Sequence, residues 1–540
     1  MGEQKQEYLW WQKGIIYQIY PRSFQDSNGD GIGDIQGIIQ RLDYLKWLGI
    51  KAVWISPFYP SPMKDFGYDI SDYTAIDPIF GNLEDFDQLV REIHQRNMKI
   101  ILDLVPNHTS DQHPWFLESR SSRDNPKRDW YIWQDAGEDN APPNNWLAMF
   151  GGTAWEWDET TNQYYYHAFL KEQPDLNWRN PEVREAMYNV MRFWLDRGVD
   201  GFRVDVMWHM IKDKLLRDNP PNDEYLPHMA TYEQLLPVYS TDQPEVHEIV
   251  REMRSLLDSY EDRMMIGEIY LPIHKLVSYY GNDNDGTHLP FNFMLLSAVW
   301  DASSIARSID EYEGALPMYG WPNWVLSNHD QPRITSRVGI QQARVAAILL
   351  LTLRGTPTIY YGDEIGMRDV PIPFAEVHDP QGLNMPDKNL SRDPARTPMQ
   401  WDNSKYAGFT TGKPWLRIDK SSHRENVQSQ KTNEYSILRI YRRLIELRNS
   451  EPSLMYGNYI PVASDKQVIA YVRKYEGYPS FLVVLNLSHR PAYFKPVHKP
   501  MSGTIILGTV PDLEGQCYKD MINLSGDEGI VVKLDEHHRQ

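Results

Sequence analysis

The chain has 540 residues, 41% of them hydrophobic and 24% charged, too apolar for a disordered chain and too long for one compact core, so a large domain with smaller additions is expected. A formal net charge of −19 at pH 7 excludes a surface that gathers nucleic-acid phosphate or anionic lipid and leaves a neutral ligand compatible. The lone cysteine, Cys517, excludes an intrachain disulfide and a cysteine-based metal cluster.

The start, MGEQKQEYLWW, has no basic stretch followed by an apolar one, so no secretory signal is expected. The longest apolar run, Val345 to Leu353, is about half of a membrane span. A cytoplasmic chain with no membrane partner is the expectation, and Asn107-His108-Thr109 is then a chance match to a glycosylation site.

The first β-rich run, Gly14 to Tyr20, leads into DSNGDGIGD. Counted from Asp26, oxygen ligands fall at positions 1, 3, 5 and 9 (Asp26, Asn28, Asp30, Asp34), with Gly31 at 6 and the Ile32 carbonyl at 7, the spacing of a calcium loop. Position 12 is Gly37 instead of a bidentate Glu and no helix precedes the loop, so a structural Ca2+, with Mg2+ as the alternative, is expected rather than a calcium sensor. Without metal, the same residues make an Asn-Gly/Asp-Gly turn.

Further β-rich runs follow at Ala52 to Ser56, Ile100 to Val105, Gly201 to Asp205, Met264 to Ile269, Leu289 to Phe293, Trp324 to Ser327 and Thr356 to Tyr361. Between them lie amphipathic segments such as Ile35 to Leu48 and Leu83 to Gln95. Alternating strands and helices imply parallel pairing, and eight runs predict an α/β fold of the (β/α)8 TIM barrel type. The interval from 107 to 176 is too long for a simple loop and is rich in Asp, Asn, Pro and Trp, which predicts a small domain inserted after strand 3. After about residue 456 short β-rich runs, Val468 to Arg473 and Ser480 to Leu487, predict a C-terminal antiparallel β domain. The expected division is barrel 1–106, inserted domain 107–176, barrel 177–456 and β domain 457–540.

Three carboxylates fall at or just past strand ends: Asp205 in VDGFRVD, Glu268 in MIGEIY and Asp330 in WVLSNHD. The C-terminal rim of such a barrel is where active sites are built, so these distant residues converge. Retaining hydrolysis of a glycosidic bond takes two carboxyls about 5 Å apart, one nucleophile and one acid. Arg203 and Asp205, two apart on a strand, share a face, and the cation is expected to keep Asp205 ionised. Glu268 has the opposite need, a raised pKa. Singly, each of these reads equally as a structural ion pair or a rim carboxylate.

Together DLVPNH, GFRVDVMWH, GEIY, SNHDQPR and GTPTIYYGDE resemble the α-amylase family of glycoside hydrolases over nearly the whole chain. The resemblance implies Asp205 as nucleophile, Glu268 as acid then base, and Asp330 as a transition-state stabiliser, with His108, Arg203 and His329 in the same sugar subsite. QPDLN, Gln173 to Asn177, looks like the oligo-1,6-glucosidase and α-glucosidase branch, implying a small oligosaccharide substrate held by one terminal glucose. Asp65 and Arg396 match the pair that grips the distal hydroxyls there, and Tyr68 the residue that stacks on the ring. Val206 after the nucleophile leans towards α-1,6 bonds, while Met207 to Gln243 departs from the usual pattern and is expected to shape the aglycone side.

The resulting expectation is an exo-acting hydrolase of maltose-like or isomaltose-like sugars, monomeric or a small homo-oligomer. The alternatives are a transglycosylating relative, disfavoured by the absence of the RLDRD segment of sucrose isomerases, an endo-acting amylase, and a non-catalytic scaffold of the transporter-associated kind.

Overall fold

The computed structural model describes residues 8–496, 501–519 and 521–535. In chain order the barrel contains β1 (Ile16–Ile19), β2 (Ala52–Ile55) and β3 (Lys99–Leu104). After an insertion holding β4 (Trp133–Gln134), β5 (Trp155–Asp158) and β6 (Gln163–Tyr166) come β7 (Gly201–Val204), β8 (Met264–Gly267), β9 (Leu289–Pro290), β10 (Asn323–Val325) and β11 (Thr356–Tyr360). Eight of these form one parallel sheet in the order β10-β11-β1-β2-β3-β7-β8-β9. Every residue of β1, β2, β7 and β8 is buried, as expected of strands covered on both faces, which is why they read as largely apolar runs.

The covering layer includes α1 (Ile35–Leu48), α2 (Leu83–Gln95), α3 (Pro181–Asp196), α4 (Val246–Asp258), α5 (Ala302–Ala315), α6 (Ile334–Thr352) and α7 (Ile437–Ser450). Their starts are written in the sequence. Asp34 caps α1 by accepting the Gly37 N–H. Asn82 closes a capping box with Asp85 at α2, and Asn180 precedes Pro181 at the first position of α3.

No ladder joins β9 to β10. There the Asn323 side chain accepts the Asn292 N–H at 2.9 Å and donates to the Pro290 carbonyl at 2.6 Å. The run expected from Leu289 to Phe293 is thus a strand of only two residues: Pro290 has no N–H to give a ladder, and Asn292 gives its own to a side chain.

The insertion folds as a three-stranded antiparallel sheet, β4-β6-β5, with a short helix, Pro114–Ser121. Bridges His108 to Asp175 and Tyr131 to Leu176 draw its two ends together. Beyond α7 lie β12 (Asn458–Ser464), β13 (Val468–Lys474), β14 (Phe481–Asn486), β15 (Ala492–Phe494), β16 (Ser502–Gly508), β17 (Cys517–Lys519), β18 (Ile522–Leu524) and β19 (Gly529–Leu534). Six of them form one antiparallel sheet, β12-β13-β14-β19-β16-β17. A buried arginine of β13 fastens it to the barrel, Arg473 donating to the carbonyls of Thr352 and Gly457, while Arg448 of α7 donates to those of Leu351 and Leu353 at 2.9 and 3.0 Å. Both act on the C-terminal end of α6, where unpaired carbonyls and the helix dipole favour a cation. Among the described residues no helix is long and apolar enough to cross a membrane.

Candidate active site

The carboxylates do converge at the C-terminal ends of the barrel strands. Asp205 follows β7, its N–H donating to the Leu104 carbonyl, and Glu268 follows β8, its N–H donating to the Val204 carbonyl. One buried guanidinium joins three acids: Arg203 Nη1 lies 2.7 Å from Asp103 Oδ1 and 2.6 Å from Asp205 Oδ1, and Nη2 lies 2.8 Å from Glu268 Oε2. Trp54 lies beneath it, with the guanidinium carbon 5.1 Å from the ring centroid.

Arg203 does not simply hold Asp205 ionised, because it is shared. Burial pushes Asp205 up, Arg203 opposes this, and the neighbouring charges of Glu268 and Asp103 push it up further. Glu268 is raised by the same burial, against Arg203 and the Val206 N–H that it accepts at 2.9 Å. Asp103 is pushed up to about 6, again by burial. Two acids packed this closely beside one cation each make the other harder to ionise.

Val206 presents its N–H to Glu268 from a left-handed backbone, φ 37° and ψ 45°, a conformation that a β-branched residue adopts only under constraint.

Asp330 is handled oppositely. Burial works against its charge, but His329, Arg392 and Arg396 outweigh burial and hold it well below the usual carboxylate range. Its Oδ1 accepts from Arg396 Nη2 at 2.9 Å and Arg392 Nη1 at 3.2 Å. The Tyr68 ring stacks on His329, 6° from parallel, and the Tyr68 hydroxyl bonds to His329 Nε2 at 2.7 Å and donates to Asp103 at 3.1 Å. Burial lowers His329 to about 3 and His108 to about 4, so both rings are neutral.

These groups line a cavity of about 440 Å³, within the range of small-molecule sites. Asp65, Tyr68, His108, Asp205, Glu268, His329 and Asp330 all line it. Arg396 does not: it is fully buried, and bonds the His329 carbonyl and Asp330. The arginine facing Asp65 is Arg392, four residues earlier, 2.6 Å from Asp65, 2.7 Å from Asp379 and 3.2 Å from Asp330. The sequence offers two arginines in SRDPAR, and only the fold distinguishes them. Gln173 of QPDLN also reaches Asp65, donating at 3.2 Å.

Two further residues escaped the sequence reading. Asp103, within DLVPNH, holds Arg203 and accepts from Trp54 and Tyr68. Lys212 is buried, pairs with Asp175 and donates to Asn107 Oδ1 at 2.8 Å.

The loop after β1 is built from its own side chains. Asp26 accepts the N–H groups of Asn28, Gly29 and Gly31, Asn28 that of Asp30, and Asp30 that of Ile32. Asp34 accepts from Ser27 and, as the cap of α1, from Gly37. Among the described residues no three His, Cys, Asp or Glu side chains converge to hold a metal. The expected donors, Asp26, Asn28, Asp30, Asp34 and the Ile32 carbonyl, are all oxygens, the chemistry of a hard cation.

A family profile described as "Alpha amylase, catalytic domain" matches residues 18–457. A probable alpha-glucosidase of Rhizobium meliloti (strain 1021) is 41% identical over 498 residues, covering 89% of this chain and 90% of that protein. The oligo-1,6-glucosidase of Bacillus cereus is 40% identical over 526 residues, covering 91% and 93%. Among solved structures, the alpha-glucosyl transfer enzyme XgtA superposes with a TM-score of 0.92 at 39% identity over 98% of this chain and all of that one. The isomaltulose synthase SmuA from Protaminobacter rubrum gives 0.90 at 38% identity, with coverage of 98% and 100%.

Proposed function

The chain belongs to the α-amylase family of glycoside hydrolases, and on that premise we propose that it is a retaining, exo-acting α-glucosidase releasing one non-reducing terminal glucose from short α-glucosides of the isomaltose or maltose type. The observation that carries this reading is the pairing of Asp205 and Glu268 on one guanidinium within a cavity that the Asp65–Arg392 pair also lines.

Two carboxyls on the same guanidinium suit the separation of about 5 Å used for double displacement, rather than the wider gap that leaves room for a water. In this mechanism Glu268 carries a proton to the leaving oxygen while Asp205 attacks the anomeric carbon. Water then displaces Asp205, with Glu268 taking its proton. Asp330, kept ionised, holds ring hydroxyls and faces the positive charge that develops at the anomeric carbon. Neutral His108 and His329 bond hydroxyls without placing a cation beside that charge. Asp65 and Arg392 bond the far hydroxyls, so the chain ends there and the enzyme cuts from the end.

Val206 lines the cavity next to the nucleophile and favours α-1,6 linkages. The deciding measurement is glucose release from isomaltose, maltose and sucrose side by side, with products resolved and Asp205→Ala as blank. Isomaltose cut fastest supports the linkage assignment, and no glucose from any of them refutes the function. A second reading, transfer of the glucosyl group to a sugar hydroxyl, draws on the likeness to a glucosyl transfer enzyme and an isomaltulose synthase. Isomerised sucrose in the same assay would establish it.

A structural Ca2+, or Mg2+, on Asp26, Asn28, Asp30, Asp34 and the Ile32 carbonyl would add a positive centre to the loop after β1 and play no part in bond cleavage. Chelation is then expected to lower the thermal midpoint, with recovery on adding Ca2+; an unchanged midpoint removes the metal from the account.

A further inference from the structure

A second cavity, of about 270 Å³, lies between the first two turns of α4 and the helical turn Val277–Tyr280 with the loop that follows it. It shares no lining residue with the catalytic cavity. Small-molecule sites run from about 300 to 1,000 Å³, so this one has room for a single small ligand.

In a chain of net charge −19, the lining holds an arginine and a histidine and no carboxylate. His247 and Arg251 stand four residues apart on α4 and so share one face, while Asn282 lines the cavity from the loop. Among the described residues, none of these three side chains has a hydrogen-bond or ion-pair partner. Arg254, one turn further along α4, shows the contrast: it is bound to Asp258 at 2.9 Å and to the Gly286 carbonyl at 3.0 Å. The acid whose charge His247 feels, Asp242, is already taken, accepting from Lys275 and from the Tyr279 hydroxyl, each at 2.8 Å.

Three unpaired donors on one cavity, with no acid among them, suit an acceptor-rich anion. The guanidinium fork spans two oxygens, and the imidazole N–H and the Asn282 amide are left for a third, which a phosphate has and a carboxylate lacks. Pro244, Val250 and the Tyr279 ring give an attached organic group an apolar surface. We propose that this cavity binds a phosphate group, free or as a small monoester, and reports its occupancy to the catalytic cavity. The route is short. The His247 ring lies 4.7 Å from that of Tyr279, Tyr279 holds Asp242, and Asp242, at φ 53°, gives its N–H to the Trp208 carbonyl at 2.7 Å. Trp208, Ser240 and Thr241 line the catalytic cavity. Binding at the two sites is then linked, each changing the other by the same factor.

The test is calorimetric titration of the whole enzyme with inorganic phosphate and with glucose 6-phosphate, in wild type, Arg251→Ala and Arg251→Glu. Arg251 is exposed, so both substitutions leave the fold intact. Both probes are expected to bind wild type, and each variant to weaken them at least about tenfold, the equivalent of one hydrogen bond to a charged group. Equal affinity for the two probes assigns free phosphate, and tighter binding of the ester assigns a monoester. No binding of either probe to wild type, or the same affinity in all three proteins, overturns the site. The kinetic arm rests on the α-glucosidase reading: saturating phosphate is expected to shift KM for isomaltose about fivefold or more in wild type and to leave it unmoved in Arg251→Ala. An unmoved KM in wild type with phosphate bound overturns the link to the catalytic cavity and leaves the α-glucosidase intact. No glucose from any α-glucoside overturns that reading, and calorimetry then decides the phosphate site by itself.

Discussion

Arg392 meets three carboxylates with one guanidinium, and each of the three is held in place by it. Arg392→Ala leaves Asp65 and Asp379 buried without their main partner. We expect KM for isomaltose to rise at least about tenfold with a smaller fall in kcat, and Arg392→Lys to restore little, because an ammonium cannot reproduce the planar fork. An unchanged KM would exclude it from the glucose subsite. Asp103 tests the shared cation. Its charge raises Asp205, and it takes part of Arg203. Asp103→Asn removes a like charge and releases Arg203 towards the nucleophile; both effects lower the pKa at which Asp205 ionises, so the acid limb of kcat/KM moves to lower pH. A limb that stays put or moves up refutes the assignment of that limb to Asp205. At this scale the sequence was informative about identity and weak about orientation. Asp205, Glu268 and Asp330 were legible because strand ends of a barrel must converge. Arg392 was not told from Arg396, since both sit in a short turn-rich segment where periodicity says nothing about which side chain faces the cavity.

Among the elements, α2 carries its start in plain view. Asn82 accepts the N–H groups of Glu84 and Asp85 while Asp85 bonds back to the Asn82 N–H. Asn82→Ala is expected to cost about 1 kcal/mol and Asn82→Gly only a few tenths in chemical denaturation; equal losses would point away from the side-chain bond. The eight barrel strands were legible for a simple reason, that strands covered on both faces are mostly apolar. Their ends were not, because what stops β9 is the missing N–H of Pro290 and an amide reaching over from β10, and the second of these is tertiary. The insertion was legible as an interval, from its length and composition. The stretch from Met207 to Gln243 was legible only as a departure, since Asn219 and Asn222 bond within the segment and leave no periodic signature.

For the whole molecule the question is how barrel, insertion and C-terminal sheet are held in one arrangement. Lys212, from the loop after β7, meets both ends of the insertion, Asp175 and Asn107. Those ends carry Gln173 and His108, two groups that shape the cavity. Lys212→Met leaves Asp175 buried and unpaired, with an expected loss of about 3–5 kcal/mol and a fall in kcat/KM from the displaced His108 and Gln173. A variant with wild-type melting and kinetics would show that the insertion is anchored elsewhere. The hydrophobic core alone does not specify such a contact, which is why composition and pattern foretold the parts better than their joints. The barrel has a joint of its own. Around its hoop of eight strands, every neighbouring pair is laced by backbone ladders except β9 and β10, where one amide side chain is the clasp. Breathing of the barrel should concentrate there, between the neighbour of β8 and the strand that leads to Asp330, so a fluctuation that springs the clasp bears on Glu268 from one side and on Asp330 from the other, and amide exchange around Asn292 would record how often the two are momentarily out of register.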